Sequence, residues 1–465
     1  MPVLRFGFIF IIFFLLLIGP WPVDETHFSN TRYAEQTKTL INQLTPNNNA
    51  QTLMANAANI EIIPLPESPL AGYSAREPKT NTGSREKLFA KAITIANPDK
   101  KITVVSAEIL LPLPELVAAV VQKTGLNRED IYFTSTHTHS GPGGYARGIV
   151  EEASLGDFSL PQFTMLVETI SKAILESRTN LKTIDLIYTR LTLTNAFAHR
   201  YIYNQLFDQA PAHKNIHTLQ LKSIEDDARI ATLITFSAHP TFLGRENRKL
   251  SGDYPNPLMA KLEESLGGNV LFSVGAVGSM LPSGFGDEKI KSVDRQLKQL
   301  NQMSDELSGF IATALTHPEQ LKKNQLGDII SWRSSEAAIQ SEVVPVWLPY
   351  ANYKVTDNLR LSPLLVSTIF HGSETYIHAL KIGKLFLMSY PADYSGELAK
   401  SLEDWAAPQD VYPWTISFNG EYLGYLMPSK RHEINHYTTR DVNFYGKWTG
   451  DYFLETSKHI ISTLK

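Results

Sequence analysis

Two histidines separated by one residue stand where a predicted strand gives way to a glycine-rich turn. The motif HTHSGPGGY begins at His137 and follows the apolar run Ile131–Ser135. If the strand continues, residues i and i+2 point to the same side, so His137 and His139 face one cavity. The glycines let the backbone approach a ligand or a metal closely. The pattern favours a functional site over the alternative, a turn that carries two surface histidines.

A third histidine follows another apolar strand. His239 lies in the motif AHPT directly after the predicted strand 228–237, and Pro240 ends that strand. A single histidine at a strand end is more often structural, and this one gains interest from the pair earlier in the chain. In the following SGDY turn, Asp253 is a candidate partner that would orient an imidazole.

The composition restricts the chemistry further. The 465 residues include 13 His and 19 Tyr but no Cys, which excludes disulfides, thiolate metal ligands and a catalytic thiol. A metal site must therefore use His, Asp, Glu or Tyr, and a nucleophile must be Ser, Thr, a carboxylate or activated water. Lys+Arg number 43 and Asp+Glu 47, a net charge of −4. That balance argues against a nucleic-acid partner.

An apolar run near the start indicates export. Arg5 precedes thirteen apolar residues, 6–18. A helix of that length reaches roughly 20 Å, short of a ~30 Å hydrocarbon core, and suits the apolar part of a signal peptide. No small-residue cleavage site follows closely, since Leu17 stands two residues before Gly19. A cleaved signal and an uncleaved anchor both remain open, and we expect an exported, membrane-anchored or secreted protein.

Three regions are expected along the chain. Residues 1–23 form the signal peptide or anchor, and residues 24–59 a polar stalk with a helix at 31–44. Residues 60–465 form one catalytic body, because neither a repeat nor a low-complexity linker interrupts them. Within it, strands are predicted at 87–97, 102–111, 131–135, 183–194, 216–222, 228–237 and 270–274, with a strand pair at 379–390, and helices at 114–124, 256–266, 293–316, 395–405 and 452–465. The fold class is α/β, with mixed β-sheets flanked by helices.

These motifs, in this order, resemble the neutral/alkaline non-lysosomal ceramidase family. HTHSGPGGY, AHPT and SGDYP carry most of the resemblance, with Gly72 and Tyr73 matching an early turn, and it extends from about residue 60 to 453. It implies the family's N-terminal catalytic domain without the C-terminal immunoglobulin-like domain. It also implies a secreted or membrane-associated zinc amidase that cleaves the N-acyl bond of ceramide into sphingosine and a fatty acid.

The resemblance also assigns roles to residues. His137 and His239 match the two zinc-binding histidines, and His139 lines the catalytic pocket. In the segment PADYS, Asp393 stands where the family has a glutamate ligand, and in GEYLGY, Tyr425 fits the position of a tyrosine ligand. Two imidazoles, a carboxylate and a phenol leave an open position for water on Zn²⁺. The alternatives are that Asp393 caps the following helix and that Tyr425 is a packed aromatic residue.

One loop departs from the family. Where the family has Gly-Asp-Val-Ser-Pro, residues 278–282 read GSMLP, so Ser279 stands at the Asp position and Leu281 at the Ser position. A leucine cannot act as a nucleophile, donor or base. We predict that metal-activated water attacks and that His139 carries the proton. Ser279 remains a second candidate catalytic residue, with Ser283 from a shifted loop and a loss of catalysis as alternatives.

The sequence therefore predicts an exported zinc amidohydrolase that acts on ceramide or a related lipid amide at a membrane surface. Two alternatives stay open. One is a zinc hydrolase of the same fold that acts on another ester or amide, and the other is a catalytically impaired lipid-binding homologue. The oligomeric state does not follow from the sequence.

Overall fold

Two mixed β-sheets lie face to face between layers of helices. The computed structural model describes residues 10–14, 17–206, 211–283, 292–369 and 374–465. Within these residues the larger sheet has nine strands. They are β1 (Met54–Ile62), β2 (Leu88–Ala96), β3 (Lys101–Ala107), β4 (Ile131–Ser135), β5 (Lys182–Leu193), β6 (Asn215–Ser223), β7 (Arg229–Phe236), β8 (Asn269–Val274) and β9 (Leu326–Ser334).

The strand order of the larger sheet is β8-β7-β6-β5-β1-β2-β3-β4, with β9 also paired to β5. The pairs β7–β8 and β3–β4 are parallel and the others antiparallel. The second sheet has the order β10-β11-β12-β13. Its strands are β10 (Ile339–Trp347), β11 (Glu374–Ile382), β12 (Leu385–Tyr390) and β13 (Tyr412–Ser417). Only β12–β13 is parallel in it.

Helices cover the outer face of each sheet. They are α1 (Arg32–Ile41), α2 (Pro114–Thr124), α3 (Ile149–Leu155), α4 (Leu160–Ser177), α5 (Pro255–Leu266), α6 (Val293–Thr316), α7 (Pro363–Ile369), α8 (Gly396–Ala406) and α9 (Thr449–Leu464), with one short turn of helix at Asn195–Ala198. Helices α2, α4, α5 and α6 pack on the larger sheet. Helices α1, α8 and α9 pack on the smaller one.

Strand β2 shows why the two sheets stack. Its side chains alternate between the two faces, as a strand requires. Ile93 and Ile95 face the second sheet, whereas Ala90 and Ala92 face the helical layer. Both faces of the larger sheet are therefore buried, and the molecule has four layers in the order helix, sheet, sheet, helix. This arrangement confirms the predicted α/β class with mixed sheets flanked by helices.

Several predicted elements have the bounds expected from the sequence. They include strand β4 and helices α2 and α6. The predicted strand 102–111 is shorter, since β3 ends at Ala107. Residues 108–113 leave the sheet as irregular backbone, and this segment lines the candidate site described below.

Residues 24–59 differ from the expected stalk, because they form part of the body. Helix α1 buries Ile41, 1% exposed, in the core of the smaller sheet. The Tyr452 hydroxyl donates to Thr37 Oγ1 at 2.7 Å. Strand β1 lies between β5 and β2. The segment has a polar composition because α1 buries only one of its faces. Its packing against the body therefore could not be inferred from composition.

The predicted apolar segment 6–18 lies partly outside the described residues. Residues 10–14 are helical, and their side chains are exposed. Trp21–Pro22 then pairs antiparallel with Leu359–Arg360. In the part of the chain that the structure describes, we find no helix of sufficient length and apolarity to cross a membrane.

Candidate metal centre

Three histidines meet at the ends of strands β4 and β7. The Nε2 atoms of His137 and His239 are 3.0 Å apart, those of His139 and His239 are 2.9 Å apart, and those of His137 and His139 are 3.3 Å apart. The two motifs far apart in the chain therefore form one cluster, as their positions at strand ends suggested.

The backbone at His137 explains how the HTH motif folds. Strand β4 ends at Ser135, and His137 adopts a left-handed conformation with φ of 60°. This conformation costs on the order of 1 kcal/mol or more for a residue with a side chain. The histidine pair therefore converges through a strained turn, whereas we expected a continuing strand.

A hydrogen bond fixes the ring of His137. Nδ1 lies 2.7 Å from the Leu110 carbonyl, and because a carbonyl only accepts, Nδ1 carries the proton and donates. The lone pair of Nε2 then faces the other two histidines, the arrangement typical of a metal-binding imidazole. The ring also stacks on Phe418, with centroids 4.1 Å apart.

Close backbone packing places His139. Gly72 has φ of 117°, and a Cβ atom there would lie 2.5 Å from the Cα of His139. Only glycine tolerates both conditions. The buried guanidinium of Arg76 donates to the carbonyl of His139 at 2.8 Å and to that of Ala71 at 2.7 Å. The Gly-Tyr turn therefore supports the histidine motif directly.

The SGDY turn supports His239 through the backbone. The Tyr254 hydroxyl donates to the Ala238 carbonyl at 2.6 Å. The carboxylate of Asp253, expected as an imidazole partner, instead accepts the backbone N–H groups of Leu243 at 2.9 Å and Tyr254 at 2.8 Å. Burial raises its pKa to about 6. The short side chain of Asp253 makes its hydrogen bonds within and beside its own turn, so it does not reach an imidazole ring.

Asp393 is the carboxylate nearest to the cluster. Its Oδ1 lies 3.7 Å from His137 Nε2 and 4.0 Å from His239 Nδ1, and this buried oxygen has no hydrogen-bond partner among the described residues. Helix α8 is capped by Ser395, whose hydroxyl accepts the Glu397 N–H at 3.2 Å. The capping alternative for Asp393 is therefore excluded, and its Oδ1 remains available to a cation.

Tyrosines complete the wall behind Asp393. Tyr425 pairs with it in a short parallel bridge, and the Tyr422 hydroxyl donates to Asp393 Oδ2 at 3.0 Å. Burial raises the pKa of Asp393 to about 7, against these tyrosine hydroxyls, which lower it. Burial also raises the pKa of Tyr425 well above its ordinary value. Tyr425, itself a predicted ligand, thus lies beside Asp393, and the Tyr422 hydroxyl is a second phenol bonded to that carboxylate.

Electrostatics favour a cation at this point. Burial lowers the pKa of His137 and of His139 well below the ordinary value and that of His239 to about 4. All three imidazoles are therefore neutral at pH 7. Neutral imidazole and carboxylate are the protonation states that bind a metal. The three converging nitrogens and the orphan oxygen of Asp393 fit a metal ion.

Ser279 is not part of this cluster. Its fully buried hydroxyl lies 3.1 Å from Ser395 Oγ and accepts the Gly396 N–H at 3.2 Å, at the start of α8. The hydroxyl of Ser283 donates to the His199 carbonyl at 2.8 Å. Both hydroxyls are engaged in structural contacts, and neither side chain lines the cavity described next. The structure places neither beside the histidines.

A cavity of about 250 Å³ opens above His137, His139 and Asp393. Its walls are mainly apolar and aromatic. The residues lining it besides these three are Gly72, Leu110, Leu111, Leu113, Pro114, Val150, Glu151, Ser154, Leu155, Glu421, Tyr422, Tyr425, Phe444 and Tyr445. Sequence reasoning missed most of these, because they come from irregular segments and from the short helix α3.

A second buried cluster was also missed. His213 Nε2 and His217 Nε2 lie 3.0 and 3.1 Å from Glu403 Oε1, and Asn215 donates to Glu403 Oε2 at 2.5 Å. The other ring nitrogens are 2.8 Å from Ser237 Oγ and 3.0 Å from the Tyr188 hydroxyl. Every ring nitrogen here has a partner without a metal, in contrast to the first cluster. The sequence pattern that could have indicated this cluster is the alternation of polar residues at 213, 215 and 217, which places their side chains on the same face of a strand.

The fold and the cluster define a class: a four-layer α/β protein with a buried candidate metal centre at the base of an apolar cavity. Residues 64–288 match the family model "Neutral/alkaline non-lysosomal ceramidase, N-terminal". That match confirms the predicted resemblance. It contains the three clustered histidines, while Asp393 and Tyr425 lie beyond it.

Individual relatives agree with this match. A neutral ceramidase of Oryza sativa subsp. japonica is 23% identical over 204 residues, 41% of this chain and 26% of that protein. One of Mycobacterium tuberculosis is 22% identical over 215 residues, 43% of this chain and 34% of that protein. The alignments thus span about a quarter to a third of these relatives.

The fold comparison covers more of the chain. The neutral ceramidase structure from Pseudomonas aeruginosa matches with a TM-score of 0.69 over 89% of this chain and 75% of that chain, at 15% identity. A structure described as ceramidase complexed with C2 matches equally well. The predicted ceramidase-type fold is confirmed.

Proposed function

We propose that this protein is a zinc-dependent hydrolase that cleaves the N-acyl bond of ceramide or a related lipid amide. One observation carries the proposal: three neutral histidine nitrogens within 3.3 Å of one another, next to the Asp393 carboxylate, at the base of an apolar cavity. The similarity to neutral ceramidases supports the choice of an acyl amide.

The donor set fits zinc. Nitrogen atoms bound to tetrahedral Zn²⁺ at about 2.0–2.1 Å lie roughly 3.3–3.4 Å apart. The three Nε2 separations, 2.9 to 3.3 Å, are close to this value. His137, His239 and Asp393 would hold the ion, with Tyr425 beside them. His139 Nε2 lies as close as the other two nitrogens, so it fits a third imidazole ligand as well as the predicted proton carrier.

When bound, zinc would supply a Lewis acid that polarises the substrate carbonyl and lowers the pKa of water to about 7. The chain supplies orientation and proton transfer. The lone pair of His139 Nε2 is free to take a proton, since burial keeps this ring neutral. The phenol of Tyr422 stabilises the ionised form of Asp393 through its hydrogen bond. No serine side chain is needed at the position of Leu281.

The cavity walls suit an acyl chain. Leu110, Leu111, Leu113, Val150 and Leu155 line one continuous space with the histidines. Each buried methylene of a lipid chain contributes about 0.8 kcal/mol to binding. Apolar walls also keep bulk water from the reacting carbonyl, which strengthens the electrostatic interactions within the site.

Export and a membrane location belong to the same proposal. The apolar run at 6–18 supports them. The chain that follows this run docks close to the cavity, because the Asp24 N–H donates to Asn352 Oδ1 at 3.3 Å and the Asn352 N–H to the Phe444 carbonyl at 2.7 Å. Phe444 lines the cavity. Membrane and soluble fractions of expressing cells, probed with an antibody to the body, test this location.

Metal analysis and hydrolysis assays on the purified full chain test the function. We expect one zinc per chain and release of fatty acid from a short-chain ceramide, both lost in His137→Ala and His239→Ala. His317→Ala is the matched control, since His317 is exposed at the end of α6. Zinc-loaded protein that hydrolyses neither the ceramide nor a matched acyl ester overturns the proposal. Ester hydrolysis alone selects the alternative substrate class.

His139 is tested separately. If it carries the proton, His139→Ala retains zinc and loses most of the activity. If it is a third ligand, zinc and activity fall together. Full activity in this variant eliminates both roles.

A further inference from the structure

We propose that the cavity selects lipid amides whose head group is cationic or donates hydrogen bonds, and that Glu421 is the residue that imposes this selection. The inference rests on the proposed function, since it names the substrate class of the same site. It predicts discrimination against amides with an anionic head group.

The charge of the cavity lining is one-sided. Glu151, Asp393 and Glu421 line it, whereas its lining contains neither Lys nor Arg. Asp393 faces the histidine cluster and would be balanced by a bound cation. The other two carboxylates have no such partner within the cavity. An anionic ligand would therefore meet two carboxylates that no Lys or Arg of the lining offsets.

Glu421 is the carboxylate of this lining that lies next to Tyr422 in the chain. It is half-buried, and we find no hydrogen bond or salt bridge from its side chain to any residue that the structure describes. The nearby Arg128 guanidinium is engaged elsewhere, with the Tyr376 hydroxyl and the Asn419 carbonyl, both at 2.8 Å. Burial raises the pKa of Glu421 to about 7, with Arg128 opposing the shift.

The position of Glu421 relates it to the reacting bond. The next residue, Tyr422, donates its hydroxyl to Asp393, so Glu421 is one residue away from the wall of the metal centre. Glu151 reaches the same space from helix α3, a separate part of the chain. A head group attached to the amide nitrogen shares the cavity with these two carboxylates, so their oxygens are available to it.

Carboxylate oxygens only accept hydrogen bonds. An ammonium or hydroxyl head group supplies the missing donors, and an ionised sulfonate or carboxylate supplies none. Selection thus has two sources. The carboxylate attracts ammonium and hydroxyl head groups, and it repels sulfonate and carboxylate head groups. Glu151 is also half-buried and without a hydrogen-bond partner among the described residues. We assign both effects to Glu421 because it adjoins Tyr422, whose hydroxyl donates to Asp393.

Three dodecanoyl amides that differ only in the head group test the inference: those of ethylenediamine, ethanolamine and taurine. Zinc-loaded protein is assayed at pH 8, where the Glu421 carboxylate is ionised. We expect kcat/KM for the first two to exceed that for the taurine amide by about tenfold or more. In Glu421→Gln we expect the ratio between the ethylenediamine and taurine amides to fall about tenfold.

Glu319→Gln is the matched control, because Glu319 is an exposed carboxylate that does not line the cavity and should leave the ratio unchanged. Equal kcat/KM for the three amides in the parent protein overturns the inference, as does an unchanged ratio in Glu421→Gln. Absence of hydrolysis with all three amides and with ceramide refutes the proposed function instead. The comparison within the parent protein tests the selection without any variant, and Glu421→Gln tests its assignment to Glu421.

Discussion

Glu403→Ala tests whether the second buried cluster is a structural clamp. The carboxylate is 5% exposed and accepts hydrogen bonds from His213, Asn215 and His217. These hydrogen bonds connect helix α8, which begins at Gly396, three residues after Asp393, to the start of strand β6. Removing it leaves three buried donors without an acceptor.

The expected cost follows from that count. An unsatisfied buried donor costs about 1–3 kcal/mol, so three of them cost about 3–9 kcal/mol. Water that enters the truncated site reduces the upper end of this range. We therefore expect Glu403→Ala to lower the free energy of unfolding by at least about 3 kcal/mol. Glu403→Gln keeps one acceptor oxygen and should cost less.

Urea unfolding followed by tryptophan fluorescence measures the loss. Asp404→Ala is the neighbouring control, since Asp404 is exposed and forms an i,i+4 pair with Lys400 worth roughly 0.3–0.5 kcal/mol. A Glu403→Ala variant within about 1 kcal/mol of the parent would refute the reasoning on buried donors. That result would mean that the three donors find other partners.

The pH dependence gives an independent check. Burial alone would raise the pKa of Glu403, but the imidazoles of His213 and His217 hold it below the ordinary value. A carboxyl with a lowered pKa in the folded state stabilises the fold above the unfolded pKa of about 4.3. The contribution is lost as the pH falls below that value. The stability difference between the parent and Glu403→Gln should therefore shrink in acid.

Three further results are expected. Gly72→Ala should displace His139 and weaken zinc binding, measured by calorimetric titration. In the control Gly83→Ala, the backbone has a similar φ but the space around it is open, so only backbone strain of about 1–3 kcal/mol is expected. Equal zinc affinity in the two variants would contradict the predicted clash between residue 72 and His139. His239→Ala should lower bound zinc from one equivalent to none, and retained zinc would remove His239 from the ligand set. Burial raises the pKa of Glu108 to about 8, so its neutral form stabilises the fold at pH 4, and this stabilisation is lost as the pH rises through 8. Glu108→Gln should flatten the dependence of the free energy of unfolding on pH. Parallel curves for the parent and the variant would show that Glu108 is not responsible.

The sequence predicted the elements that have a clear hydrophobic period. Strand β4 and helix α6 are examples, since one is short, apolar and followed by a glycine-rich turn and the other is long and amphipathic. Strand β1 could not be found in the same way. Its sequence MANAANIEI is rich in Ala and Asn, and only the tertiary pairing with β2 and β5 makes it a central strand.

The site was predictable where chemistry-bearing residues stand at strand ends. His137, His139 and His239 are such residues, and they converge. Resemblance, not periodicity, pointed to Asp393 and Tyr425. Glu421 escaped notice because its position in the cavity depends on how the segment after strand β13 folds back on Asp393, a long-range property without a local pattern.

The proposed metal ligands come from distant parts of the chain, so the site can be completed only late in synthesis. The imidazoles lie in the first 239 residues, the carboxylate at 393, and the facing phenols at 422 and 425. Among the described residues, the inner face of the larger sheet packs mainly against the strands of the smaller sheet, which begin at residue 339. A nascent chain that stops before these strands lacks the cover for that face, and it also lacks Asp393. If the proposed ligands hold the ion, the full donor set exists only once the chain reaches Asp393, in its last sixth.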